Sequence, residues 1–276
     1  MDDGGWRTSM VPGAPRLAID EAGQGTAVVF LHGVGGNRTN WHDQLPVFAR
    51  HFHAAAWDAR GYGGSDDYSG PLSFPDFSHD LRRLLDYLGG ARAHLVGLSM
   101  GGMIAQDFYR LFPERVLSLV LVDTNNGLRR SLSPEQIANF VKLRRDPLLA
   151  GKTLREMAPP VARALSGPKA TPETIRRLEE SMAALHTESY VKTLEEMARY
   201  DGFPDLATVR VPTLVVVGEA DRLTPPRDAE AMIAAIPGAE YCLIPQAGHL
   251  SNIEDPDRFN SVVLEFLLRR TPEGLT

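Results

Sequence analysis

Short apolar runs recur along the chain at residues 27–31, 93–96, 119–122, 213–217 and 241–244. Each has the length and aliphatic content of a strand buried on both faces, as parallel sheets require. From residue 27 to residue 123 strands alternate with helical patterns, and after Asp123 the alternation stops. Asn125-Asn126-Gly127 signals a turn, and the stretch 126–205 then reads as helical with no strand-like run. Ser133-Pro134-Glu135-Gln136 opens one helix with a serine N-cap, proline in the first turn and glutamine three residues on. Thr171-Pro172-Glu173 opens another, and strand character returns at Thr213. The pattern therefore predicts an α/β core in two pieces, 1–125 and 206–276, interrupted by a helical insertion at 126–205.

Composition narrows the class. With 276 residues, 43% of them hydrophobic, the chain can bury a sizeable core. A formal net charge of −6 argues against a nucleic-acid partner, which demands a basic face. The single cysteine, Cys242, excludes an internal disulfide framework and reads as a small buried hydrophobe inside an apolar run. Met1-Asp2-Asp3-Gly4-Gly5 has neither a basic start nor an apolar core, so no signal peptide is expected. No apolar run is long enough to cross a bilayer, so no membrane partner is expected and a cytoplasmic location is the default. His42, His51, His53, His79, His94 and His186 lack metal-ligand spacing and read as surface or packing residues. No motif calls for a metal, nucleotide or flavin, so no cofactor is expected.

The chemistry concentrates at the ends of the apolar runs. Val96-Gly97-Leu98-Ser99-Met100-Gly101-Gly102 places Gly-x-Ser-x-Gly between a buried strand and a helical pattern. Such a turn strains its central residue and displays the side chain away from the sheet. Gly97 and Gly101 fit a chain that approaches itself too closely for a Cβ. A serine hydroxyl is a poor nucleophile without a base, and the base needs an orienting acid. Asp221 lies on the loop after 213–218, and His249 on the loop after 241–244. The chain order Ser99, Asp221, His249 suits acyl transfer, and all three follow strand ends, the sheet edge where sites assemble. The developing negative charge needs two main-chain donors, for which Met100 N–H and Val34 N–H are the candidates. The glycine-rich loop around Val34 could instead hold a phosphate, but the Gly-x-x-x-x-Gly-Lys-Ser/Thr pattern is absent.

Together with His32-Gly33-Val34-Gly35-Gly36, Trp41 and Asp58-Ala59-Arg60-Gly61-Tyr62-Gly63-Gly64-Ser65, these motifs resemble the α/β-hydrolase fold from about Ala18 to Arg270. The resemblance implies a mostly parallel central sheet flanked by helices, with the insertion as a helical cap over the site. It assigns Gly33 and Trp41 to substrate contact, leaving open whether the Trp41 or the Tyr62 ring faces the pocket. Under it His32 orders the oxyanion loop, and Asp58 and Arg60 form a loop-bracing pair. Met100, Met103 and Ile104 either line the pocket or pack the core. Some members of this fold take the acid from the position of Asp123, so Asp221 is the favoured acid and Asp123 the alternative.

Within the fold, the runs around Ser99 and His249 look most like the 3-oxoadipate enol-lactonase group. That implies a serine hydrolase cleaving a small ester or lactone. A C–C bond hydrolase with the same triad is the second reading, and a ligand receptor that retains the triad is the third. The insertion carries 13 basic against 11 acidic residues, a net of +2 in a chain of −6. A basic lid suits a small anionic substrate, with Arg129, Arg130, Arg144, Arg145 and Arg163 as unranked candidates to meet it. Oligomeric state is not legible.

Overall fold

The computed structural model describes residues 5–271. Residues 1–4, most of the stretch from which no signal peptide is expected, lie outside the described residues, as do 272–276. The strands are β1 (Arg7–Val11), β2 (Leu17–Ala22), β3 (Ala27–Leu31), β4 (His53–Trp57), β5 (Ala93–Leu98), β6 (Val116–Val122), β7 (Thr213–Gly218) and β8 (Glu240–Ile244). They form one sheet in the order β1-β2-β4-β3-β5-β6-β7-β8. β1 and β2 pair antiparallel, as do β2 and β4, and every other pairing is parallel.

Side chains alternate across the sheet, as the two-residue strand period demands. Val29, Leu31, Leu95, Leu121 and Val215 face one core layer. Val28, Phe30, Val96, Val120 and Val216 face the other. Helices α1 (Pro75–Tyr87) and α2 (Met100–Leu111) cover the first layer through Phe77, Leu81, Leu84, Ile104 and Phe108. Between β6 and β7 run α3 (Pro134–Leu149), α4 (Leu154–Leu165), α5 (Pro172–Ala183) and α6 (Thr187–Arg199). α7 (Pro226–Ala235) follows β7, and α8 (Pro256–Arg270) covers the second layer with Phe259, Val263 and Phe266. Each such buried aromatic or aliphatic side chain contributes about 1.5–3 kcal/mol.

The helical segment starts where the caps direct. Ser133 and Thr171 each accept from the amide three residues on, and Thr153 does the same ahead of α4. Among the described residues no helix is long and apolar enough to cross a membrane.

Strand order matters for function. The chain runs from β3 outward to β4, then returns past β3 to β5. That reversal opens a crevice beyond the C-terminal ends of β3 and β5, where open α/β sheets hold their ligands. The loop His32–Gly36 and the residue Ser99 both leave the sheet at that point.

Candidate active site

Ser99 joins β5 to α2 with φ 54° and ψ −116°. This is a strained conformation for a residue with a Cβ, costing about 1–3 kcal/mol, and the surroundings hold it. Its amide donates to Val122 O at 2.9 Å, and its carbonyl accepts from Thr124 Oγ1 at 2.6 Å. Close approach, not dihedral freedom, requires the flanking glycines. A Cβ on Gly97 would sit 2.3 Å from Gly101 O, and one on Gly101 would sit 2.1 Å from Leu31 O.

The candidate acid and base follow the ends of β7 and β8. His249 Nδ1–H donates to Asp221 Oδ2 at 2.8 Å, with both side chains buried. Asp221 also accepts from Leu223 N at 2.8 Å, Thr224 N at 3.1 Å and Thr224 Oγ1 at 2.7 Å. Burial alone pushes the Asp221 carboxyl up, but the His249 charge, its hydrogen bond and the Thr224 hydroxyl outweigh that and leave it below its ordinary value. Burial pushes the His249 imidazole down, yet the Asp221 charge and hydrogen bond, joined by the Asp123 charge, leave it raised. Thr224 was not legible as a functional residue, although Asp-x-x-Thr on a loop is a side-chain-to-backbone turn signal.

Asp123 occupies the alternative position but faces elsewhere. Its Oδ1 accepts from Gly218 N at 2.8 Å, and its Oδ2 accepts from Ser251 N at 3.0 Å and Ser251 Oγ at 2.7 Å. It ties the end of β6 to β7 and to the segment just after His249. Burial and the nearby Asp221 charge push its carboxyl up to about 7.

The loop after β3 presses on the serine. A Cβ on Gly33 would stand 3.2 Å from Ser99 Cβ. His32 braces this loop: Nδ1–H donates to Gly33 O at 2.8 Å and Nε2 accepts from Ala59 N at 3.1 Å. Burial keeps this imidazole neutral by lowering its basicity. Met100 N–H is the first amide of α2, where no intrahelical carbonyl is available. Among the described residues neither it nor Val34 N–H has a backbone acceptor outside regular elements.

Ser99, His249, Gly33 and Val34 wall one narrow cavity of about 60 Å³. Val161, Ala162, Leu165, Leu178 and Met182 of α4 and α5 supply its apolar roof, with Asn40, Arg144 and Tyr190 as further polar groups. Asn40 and Tyr190 carried no sequence signal, since only tertiary packing brings them here. The roof is tied to the histidine: His249 N donates to Leu165 O at 2.8 Å, and Gly167 N and Gly248 N share Glu254 Oε2 at 2.9 and 3.0 Å.

Two expectations require correction, and one open alternative is decided. Trp41 does not reach the cavity; it is fully buried, 5.1 Å from the Phe30 ring and 6.2 Å from that of Phe259. The helical turn Arg38–Trp41 points the indole under the sheet, while Asn40 takes the cavity-facing position. Trp41→Phe is accordingly expected to cost about 1–3 kcal/mol of stability with KM unchanged, read by thermal melting and initial rates. Asp58 and Arg60 do not pair with each other: Asp58 pairs with Arg38, and Arg60 NεH donates to Asp80 at 2.7 Å. Met100, Met103, Ile104 and Tyr62 are core residues, absent from the cavity wall.

A family model for the alpha/beta hydrolase fold matches residues 26–256. A 2-hydroxy-6-oxononadienedioate/2-hydroxy-6-oxononatrienedioate hydrolase of Burkholderia vietnamiensis is 34% identical over 269 residues, covering 92% of this chain and 91% of that protein. A 3-oxoadipate enol-lactonase of Acinetobacter baylyi is 27% identical over 245 residues, covering 88% of this chain and 89% of that one. A thermophilic esterase from Thermogutta terrifontis superposes with a TM-score of 0.85 at 29% identity, covering 96% of this chain and 100% of that one. The chain belongs to the α/β-hydrolase fold family, and the three relatives named here are hydrolases.

Proposed function

We propose that this α/β-hydrolase is a serine hydrolase that cleaves a small carboxylic ester or lactone through an acyl-enzyme on Ser99. The observation that carries the reading is the His249–Asp221 hydrogen bond of 2.8 Å behind a cavity whose wall also holds the strained Ser99. With Nδ1–H committed to Asp221, Nε2 is the free base on the imidazole. It takes the Ser99 proton as Oγ attacks the substrate carbonyl. Met100 N–H and Val34 N–H stabilise the oxyanion. His249 returns the proton to the departing oxygen, which in a lactone stays tethered to the acyl chain. A water then loses its proton to His249 and attacks the acyl carbon, and His249 passes that proton to Ser99 Oγ as the acyl bond breaks. Asp221 stays ionised throughout and holds the tautomer.

Residues 126–205 act as a cap. Their apolar roof excludes water and limits the acyl group to a small one. The core pieces 1–125 and 206–276 supply the reacting groups, and Gly33 shapes the floor.

The relative at 34% identity favours a second reading, C–C hydrolysis of a ring-cleavage dienoate by the same residues. Initial rates on 4-nitrophenyl acetate and butyrate, simple lactones, 3-oxoadipate enol-lactone and a meta-cleavage dienoate separate the two. Esters or lactones turned over at least tenfold faster than the dienoate support the first reading, and the reverse order supports the second. Tight ligand binding with negligible turnover of every compound would replace both with the receptor reading.

A further inference from the structure

Arg144 on α3 is set apart from the other cationic side chains of the helical segment. Arg129 and Arg130 face Asp201, Arg145 pairs with Asp146 and Glu195, and Arg163 is exposed. Among the described residues no carboxylate pairs with Arg144. Its guanidinium donates to Phe140 O at 3.1 Å and lies 3.9 Å from the Phe140 ring centroid. It is partly buried, and burial lowers its basicity, which the Tyr190 side chain partly offsets.

Its position is equally specific. Arg144 lines the cavity that holds Ser99 and His249, and also an outer groove between α3 and α4 that shares Val161 and Leu165 with it. Among the described residues no acid lines the inner cavity. The acid on the groove, Glu156, is already engaged by Thr153 N and Oγ1 at 2.7 and 2.8 Å. A desolvated cation without a counter-charge is costly, and a ligand anion removes that cost on binding. The planar guanidinium fork matches a carboxylate bidentately, which an ammonium cannot do.

We propose that Arg144 docks a carboxylate of the substrate, so that the preferred substrate is a half-ester or a carboxylated lactone. The proposal rests on the serine-hydrolase reading for its reaction, but not for its binding step. The test compares kcat/KM for mono-4-nitrophenyl glutarate and neutral 4-nitrophenyl butyrate in wild type, R144Q and R144K. Wild type is expected to favour the glutarate, and R144Q to lower that preference by about a hundredfold, chiefly through KM. R144K is expected to recover part of it. An unchanged preference in folded R144Q overturns the proposal.

Binding is read separately by calorimetry with glutarate and uncharged glutaramide on Ser99→Ala, with and without R144Q. Glutarate binding that needs Arg144 supports the site even if wild type hydrolyses neither ester, an outcome that would sink the hydrolase reading alone. Equal binding of glutarate and glutaramide overturns the site whether or not R144Q folds.

Discussion

Ser99→Ala is expected to lower kcat/KM toward a short acyl ester by about four orders of magnitude or more while the protein stays folded. The alanine loses the attacking oxygen, and His249 then has only water to activate. The fold survives because Ser99 holds its neighbours through main-chain atoms, to Val122 O and from Thr124 Oγ1. Alanine keeps both bonds. Initial rates paired with a circular-dichroism melt check the expectation. Activity within tenfold of wild type would remove Ser99 from the chemistry.

Asp221→Asn is expected to lower kcat by about four orders of magnitude, because an amide at this position favours the wrong imidazole tautomer. Asp123→Asn is expected to cost kcat less than about tenfold and stability about 1–3 kcal/mol, since it disturbs acceptors of Gly218 N and Ser251 rather than the imidazole bond. The pH dependence adds a signed check. His249 must be neutral to accept the serine proton, and its basicity is raised above the ordinary histidine value. The acid limb of kcat/KM therefore lies above pH ~6.5 in wild type. Losing the Asp123 charge, which helps raise His249, moves that limb to lower pH. A larger loss in Asp123→Asn than in Asp221→Asn would transfer the acid's role to Asp123.

What could be read from the sequence was whatever the backbone itself dictates. The turn at Ser99 is legible because two closely approaching chains permit only glycine at residues 97 and 101. The helix starts at Ser133 and Thr171 are legible because caps are local hydrogen bonds. Strands β1 and β2 carried no such signal: β1 is a mostly exposed edge, and charged Asp20 and Glu21 interrupt β2. These acids are buried yet paired, Asp20 with Arg38 and His42, Glu21 with Arg7 and His53. Trp41 and Asn40 are adjacent in sequence and face opposite ways, which only the packed helical turn decides. The five arginines of the helical segment looked equivalent for the same reason. Their partners lie as far away in sequence as Asp201, 72 residues beyond Arg129, and Glu195, 50 residues beyond Arg145.

The most direct measurement is intact-protein mass spectrometry after brief exposure to a small alkyl fluorophosphonate, with peptide mapping and Ser99→Ala alongside. One adduct, mapped to the peptide holding Ser99 and missing from the variant, is the expected result. No adduct, or the same adduct on the Ser99→Ala protein, would contradict a serine nucleophile in this cavity.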